Sequence, residues 1–235
     1  MSIQVETIMS PSLFNQVQDL DKKIVVVIDV LRASSTICTI LENGAESVRT
    51  VGSVEEAQTY RDNGFIVGGE RGGKKVEGFD FGNSPFDYKT ELVQEKEVVL
   101  TTTNGTKCIE MGKPAKGLII GSFLNLGAVC DYLDEANSDI VLFCAGWRDR
   151  VNLEDSLFAG AVCHGLNGDY LFDDASLLCQ SAYQLAEYDL YRHMQQSSHF
   201  ERLSKHGVDK DIEYCCEVDQ ILSVPVLDNG KLKTL

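Results

Sequence analysis

The run Ile24 to Ile28 (IVVVI) ends on Asp29, with Arg32 three residues further on and Ser34, Ser35 and Thr36 opening the segment that follows. A carboxylate at such an edge can hold a metal ion or attack phosphorus, and an arginine beside a helix N-terminus can take an anion. Helix capping would account for the aspartate alone, but not for the arginine and hydroxyls grouped beside it. The aspartate-first motif of haloacid-type phosphatases, DxDxT, is not met, because Val30 and Leu31 follow Asp29 and no second aspartate appears.

Gly68 to Lys75 (GGERGGKK) approaches the P-loop pattern GxxxxGK[ST]. However, Lys75 stands where the magnesium-binding Ser or Thr belongs, and VEGFDFGNSP after it reads as a loop rather than a helix. What remains is a glycine-rich loop whose backbone N–H groups can approach an anion, with Arg71 as a positive fork and Glu70 able to ligate a cation. A mobile surface loop would have the same composition. Asn83, Ser84 and Pro85 are ordinary punctuation for a helix start. Thr101 to Thr106 (TTTNGT) sets four hydroxyls, an amide and a glycine where a strand gives way to a helix, which suits a phosphate cradle or a capped turn equally.

In CAGWRDRVNLEDSLFAGA, Asn152 can cap a helix whose first turn carries Glu154 and Asp155. The two carboxylates either complement the helix dipole or point into a cleft as magnesium ligands. Trp147, Arg148 and Arg150 fall on the loop before that helix, the tryptophan expected to pack rather than to stack on a ligand. His164, His193, His199 and His206 lack metal-ligand spacing and are expected to be structural. A serine-hydrolase reading fails for want of GxSxG. Six of the eight cysteines lie in apolar segments, and the adjacent Cys215 and Cys216 have no CxxC partner, so buried, reduced thiols are expected rather than disulfides or a zinc site.

The elements that must position these residues follow from the patterning. IVVVI is a β-branched run of the kind that is covered on both faces, and RASSTICTILENG reads as the helix after it, ending at Gly44. Ser53 to Glu56 (SVEE) is a capping box, and Asn63-Gly64 stops its helix. Further units follow in GLIIGSF with NLGAVCDYLDEA and in DIVLFCAG with LEDSLFAGAVCHGL. Strands alternating with helices imply an α/β fold, a three-layer α/β/α sandwich on a largely parallel sheet whose ligands gather at the carboxyl ends of the strands. From Asp173 to Gln220 the pattern turns helical and more polar, and Asp228-Asn229-Gly230 signals a closing hairpin. No linker-like stretch interrupts the chain, so a single domain over 1–235 is expected.

Composition narrows the partners. Twenty-one Lys and Arg against 36 Asp and Glu leave a formal charge of −15, whose field repels polyanions and disfavours nucleic acid. An acidic protein that handles an anion therefore needs a local cluster of donors or a bound cation. No apolar run is long enough for a bilayer, and MSIQVETIMSPSLF has neither the basic nor the apolar region of a signal peptide, so a cytoplasmic location without membrane contact is expected. The apolar positions of the helical third can form a subunit interface or cover the sheet; a homo-oligomer is the expectation.

Taken in order, VVVIDVLRASSTI, GGERGGKKVEGFDFGNSP, TTTNGT, CAGW with NLEDSLFAGA, and DIEYCCEVDQ through VPV resemble the 2-phosphosulfolactate phosphatase family over nearly the whole chain. The resemblance implies a magnesium-dependent hydrolase that removes phosphate from (2R)-phospho-3-sulfolactate, a step of coenzyme M biosynthesis. It also implies Asp29, Arg32 and Glu154 as catalytic, and Arg71, Asn83, Ser84, Thr103, Asn104, Gly105 and Thr106 as substrate-binding. Asp29, Glu70 and Asp155 are the implied metal ligands. Asp29 either attacks phosphorus or holds the ion, and Glu70, Glu154 and Asp155 are open between ligation and general acid–base work. A phosphatase of another small acidic phosphoester, or a non-catalytic binder of anionic metabolites, would use the same residue types.

Overall fold

A computed structural model of the chain describes residues 2–235. It opens with β1 (Ile3–Ile8) and β2 (Ile24–Ile28), the latter made by the IVVVI run and buried along its full length. Helix α1 (Ala33–Glu42), β3 (Ser47–Thr50), α2 (Val54–Asp62), β4 (Ile66–Arg71) and the two-residue β5 (Lys74–Lys75) follow. Next come α3 (Thr90–Val93), β6 (Glu97–Thr101), α4 (Gly105–Gly112), β7 (Gly117–Gly121), α5 (Leu126–Ala136), β8 (Ile140–Cys144) and α6 (Leu153–Gly165). After β9 (Tyr170–Phe172) the chain is helical through α7 (Asp174–Ala186), α8 (Leu190–Met194), α9 (Ser198–Ser204) and α10 (Asp209–Cys215). It closes with β10 (Pro225–Asp228) and β11 (Lys231–Thr234).

The local signals act as their chemistry requires. Ser53 Oγ accepts from the Glu56 amide at the start of α2, and Asn152 Oδ1 accepts from the Asp155 amide at the start of α6. Asn229 and Gly230 both take positive φ, the conformation of a type I′ turn, and the strands on either side pair as a hairpin.

All eleven strands form one sheet in the order β5-β4-β6-β3-β11-β10-β7-β2-β8-β1-β9. The segment β7-β2-β8-β1-β9 is parallel throughout, and so is β4-β6-β3. The closing hairpin is inserted between them and is antiparallel at each of its junctions, so the two parallel groups run in opposite senses. Helix α1, buried from Ala33 to Leu41, packs against β3 and β7 and also against both hairpin strands. It therefore lies across the four consecutive strands at the junction of the two groups.

Alternation along β2 divides the core. Val25 and Val27 join Ile37 and Ile40 of α1 with Val98, Leu100 and Leu232, whereas Val26 and Ile28 face Leu133, Phe158 and Val162 on the opposite side. That opposite side is covered by α5, α6 and α7. A third, smaller cluster seats Ala57 of α2 on Val67 and Val99. All eight cysteines are buried free thiols, and burial pushes Cys38 and Cys215 up to about 12, which leaves them chemically quiet. Among the described residues no helix is long and apolar enough to cross a membrane.

Helices α6 and α7 meet at Gly160, where a Cβ would stand 2.0 Å from the Cys179 carbonyl oxygen. Backbone cannot yield at that distance, so Gly160→Ala must push the helices apart. We expect it to lower the unfolding free energy by about 1–3 kcal/mol, read as a lower urea midpoint at unchanged m. Gly52→Ala, with nothing within 4 Å of the added carbon, is the control, and equal midpoints for the two variants would refute the close approach.

Candidate active site

The carboxyl ends of β2, β4 and β6 each deliver part of one site. Asp29 leaves β2 and is buried, its carboxylate against the first turn of α4, where the Gly105 backbone favours the charged form. A Cβ at Gly105 would lie 2.9 Å from Asp29 Oδ2 and from Ala33 Cβ, so only glycine lets the helix N-terminus come this close to the acid. The threonines around it hold the turn itself: Thr106 Oγ1 donates to the Thr102 carbonyl at 2.8 Å, and the Thr106 amide donates to Thr102 Oγ1 at 3.3 Å. Glu70, at the end of β4, ties this turn to the glycine-rich loop. Its Oε1 accepts from the Thr103 amide at 2.7 Å and its Oε2 from the Gly73 amide at 2.6 Å.

The loop after β8 and the first turn of α6 supply the other wall. Asp155 is fully buried, and its two oxygens accept from the Val30 and Gly146 amides, each at 2.9 Å. It thereby staples the ends of β2 and β8 to α6. Both of its oxygens are engaged and it does not line the cleft, which departs from the metal-ligand role implied by resemblance. Glu154 is also fully buried. Its Oε1 hydrogen-bonds to His199 Nδ1, and its Oε2 has no partner among the described residues.

His199, expected to be structural, is buried and hydrogen-bonded, and it also belongs to the cleft. It enters from α9, lines the same cleft as Asp29, and its ring lies 5.5 Å from that of Trp147. One turn along α9, the Arg202 guanidinium stacks 4.2 Å from the Trp147 ring centroid. The tryptophan thus packs, as expected, but what it packs are two polar side chains of the site.

The cleft has a volume of about 40 Å³ and is open to solvent. Asp29, Arg32, Glu70, Asn83, Thr102 and Asn104 line it from the sheet side, and Trp147, His199, Arg202 and His206 from the other. Among the sequence-derived candidates, Thr103, Gly105 and Thr106 build its floor through the contacts above. Ser84 sits just outside, where its hydroxyl donates to Asp211 Oδ1 at 2.8 Å. Arg71 points away: its guanidinium donates to the Glu70 carbonyl at 2.7 Å and to Thr101 Oγ1 at 2.9 Å. Arg32 is present but already paired, donating to Asp211 Oδ2 at 2.6 Å and to the Gly73 carbonyl at 3.2 Å. His199, Arg202 and Asp211 are the site residues that sequence reasoning passed over. The signal available for the first two was their spacing of three on one helix, which sets them on one face.

The electrostatics are dominated by surplus negative charge. Burial pushes the Asp29 carboxyl up to about 7; His199 opposes the shift, and the charges of Glu70 and Glu154 add to it. Asp155 is likewise raised by burial and by the neighbouring Asp29 and Glu154, against the pull of its two amides. Among the described residues no three His, Cys, Asp or Glu side chains converge closely enough to enclose a metal ion unaided.

A raised carboxyl pKa means that the folded chain holds the Asp29 proton more tightly than the unfolded chain does. Stability is therefore lost as pH rises from the unfolded value near 3.8 through the folded value of about 7. In EDTA, Asp29→Asn should remove that penalty and melt about 3–8 °C above the wild type at about pH 8, the two converging below about pH 4. A variant that melts below the wild type at the higher pH would show the carboxylate to be a net stabiliser.

Comparison with known proteins matches this geometry to a family. The model of the 2-phosphosulpholactate phosphatase family matches residues 8–230, a span that holds every cleft residue named above. A probable 2-phosphosulfolactate phosphatase of Thermotoga petrophila is 42% identical over 226 residues, covering 96% of each chain. One from Caldanaerobacter subterraneus is 40% identical over 223 residues, covering 92% of each chain, and one from Clostridium novyi is 35% identical over 235 residues, covering 98% of this chain and 99% of its own. With the match running from the first strand into the closing hairpin, the chain belongs to the 2-phosphosulpholactate phosphatase family.

Proposed function

We propose that this protein is a magnesium-dependent phosphatase that hydrolyses (2R)-phospho-3-sulfolactate to (R)-3-sulfolactate and phosphate, a step of coenzyme M biosynthesis. The observation that carries the reading is the set of carboxylates Asp29, Glu70 and Glu154, close enough to raise the Asp29 pKa, beside a histidine anchored on one of them. A phosphate dianion cannot approach such a wall unaided; a divalent cation removes the repulsion.

The donor set fits Mg²⁺. Glu154 Oε2 and Asn83 Oδ1 are buried oxygens without a partner among the described residues, and Asp29 lines the same cleft as Asn83. Asp29 and Glu154 Oε2 would hold the ion, with Asn83 Oδ1 as a further oxygen. That is a sparse protein shell of hard donors, which suits an ion that keeps several waters and takes substrate phosphate as a ligand. When bound, the ion supplies charge neutralisation at the phosphoryl oxygens.

The chain's own residues then divide the remaining work. With Glu154 ionised, the His199 tautomer that fits its Nδ1 contact donates from Nδ1, which leaves Nε2 as the basic nitrogen of a ring that lines the cleft. It takes a proton from the attacking water as the P–O bond to the leaving oxygen breaks, and returns that proton to the sulfolactate alkoxide. Glu154 orients the ring and stabilises its charged form, as the carboxylate does in other histidine dyads. The Asn104–Gly105 turn, at the N-terminus of α4, faces backbone donors toward negative charge.

Phosphate release should be measured from racemic phosphosulfolactate, with phosphoglycolate and phospholactate as comparators, in Mg²⁺ and in excess EDTA. Selective turnover abolished by EDTA is expected, and His199→Ala should lower kcat by about 10²–10⁴-fold in protein that is still folded at the assay temperature, with a lower melting temperature because Glu154 loses its buried partner. Preference for a comparator would keep the chemistry and change the substrate. A phosphoryl group trapped on Asp29 after acid quench would replace water by that carboxylate as the nucleophile, and no turnover of any ester would leave an anion-binding protein.

A further inference from the structure

Of the arginines around the cleft, two are committed. Arg32 spends its guanidinium on Asp211 and the Gly73 carbonyl, and Arg71 spends its own on the Glu70 carbonyl and Thr101. Arg202 is different. Its Nη1 reaches the Ser198 carbonyl at 3.3 Å, but its Nη2 is buried and has no partner among the described residues. No carboxylate is paired with it. A buried guanidinium nitrogen without an acceptor is costly, and a ligand oxygen would remove that cost.

The way Arg202 is held bears on what it can take. The guanidinium carbon of Arg202 sits 4.2 Å over the Trp147 ring centroid, so the indole face holds the head in place, while Nη1 is used by the Ser198 carbonyl and Nη2 is left without a partner among the described residues. A guanidinium nitrogen held in this way can donate to an oxygen of a carboxylate or sulfonate. Arg202 comes from α9 and Asp29 from the end of β2, and both line the cleft, so the phosphoryl end and the Arg202 end of a bound ester can draw on donors from different elements.

We propose that Arg202, held over the Trp147 ring, is a specificity-determining residue that binds the second anionic group, a sulfonate or carboxylate, of the phosphoester substrate. The assignment rests on the hydrolase reading given above. It explains why the cleft keeps Arg202 without a carboxylate partner although Arg32, which also lines it, is paired with Asp211, and why the lone tryptophan of the chain stands at its edge.

The test compares wild type, Arg202→Gln and Arg202→Lys on phosphosulfolactate, phospholactate and isopropyl phosphate, the last having no second anion. In Arg202→Gln, KM for phosphosulfolactate should rise about 10–100-fold with kcat changed less than about threefold, and its discrimination over isopropyl phosphate should fall by the same factor. Arg202→Lys should restore part of the loss. A loss confined to phosphosulfolactate assigns the sulfonate; an equal loss on phospholactate assigns the carboxylate. Equal losses on all the esters, or none, would overturn the proposal. Should the wild type hydrolyse no ester, the hydrolase reading fails, and calorimetric binding of sulfolactate and lactate still reads Arg202: weaker binding in Arg202→Gln supports the assignment, whereas unchanged or absent binding in the wild type and variant overturns it.

Discussion

Asp29 after β2, Glu70 at the end of β4 and Glu154 in the first turn of α6 are buried near one another, and the mutual repulsion of their charges sets the terms for the rest of the site. Desolvation and like charge together disfavour the ionised form of Asp29, as its raised pKa records. Each neighbouring feature answers that repulsion locally. The Gly105 backbone meets Asp29, the Thr103 and Gly73 amides meet Glu70, and His199 meets Glu154. None of these partners carries a full fixed positive charge of its own. The balance is left to what binds, which is how a chain of net charge −15 can still select an anionic substrate.

The fold makes this convergence possible by an unusual use of its last residues. In a continuous parallel sheet, β2 and β6 would present their carboxyl ends along one edge. Here the β10–β11 hairpin reverses the sense between the groups, yet the loop after β6 still meets Asp29, with Gly105 against its carboxylate. The helical third then closes the open side. From α10, Asp211 holds both Arg32 and Ser84, which locks the loop after β2 to the loop before α3. Burial makes that ion pair sensitive to loss of either partner, since the remaining charge would be left uncompensated.

Much of the frame was legible because it depends on local patterning. IVVVI, the Ser53 and Asn152 caps, the Asp228-Asn229-Gly230 turn and the βα alternation each appear where their residue types require. The place of the hairpin was not legible, because a turn signal fixes which strands pair with each other and says nothing of which sheet edge or gap they enter. The site divides in the same way. Asp29, Glu70 and Asn104 lie at strand ends, where the alternation itself points. His199, Arg202 and Asp211 lie in a polar helical stretch, where charged residues ordinarily face solvent, and only tertiary packing turns them inward. Asp155 and Arg71 show the converse. Their types suit ligation and anion binding, but backbone amides and carbonyls within reach took their hydrogen-bonding capacity first.

That last contrast separates adjacent residues of the same chemistry. Glu154 and Asp155 are neighbours in one helical turn and are both fully buried. Asp155, with the shorter side chain, ends among the Val30 and Gly146 amides and satisfies both oxygens there. Glu154 carries one more methylene and projects at a different angle from α6, so it reaches past the backbone to His199 and retains an unpartnered oxygen. Fixing the strand ends needs an acceptor whose valences are filled; handling a proton or a cation needs one whose valences are not. The Glu-Asp pair supplies each from consecutive positions, and exchanging the two side chains would defeat both purposes at once.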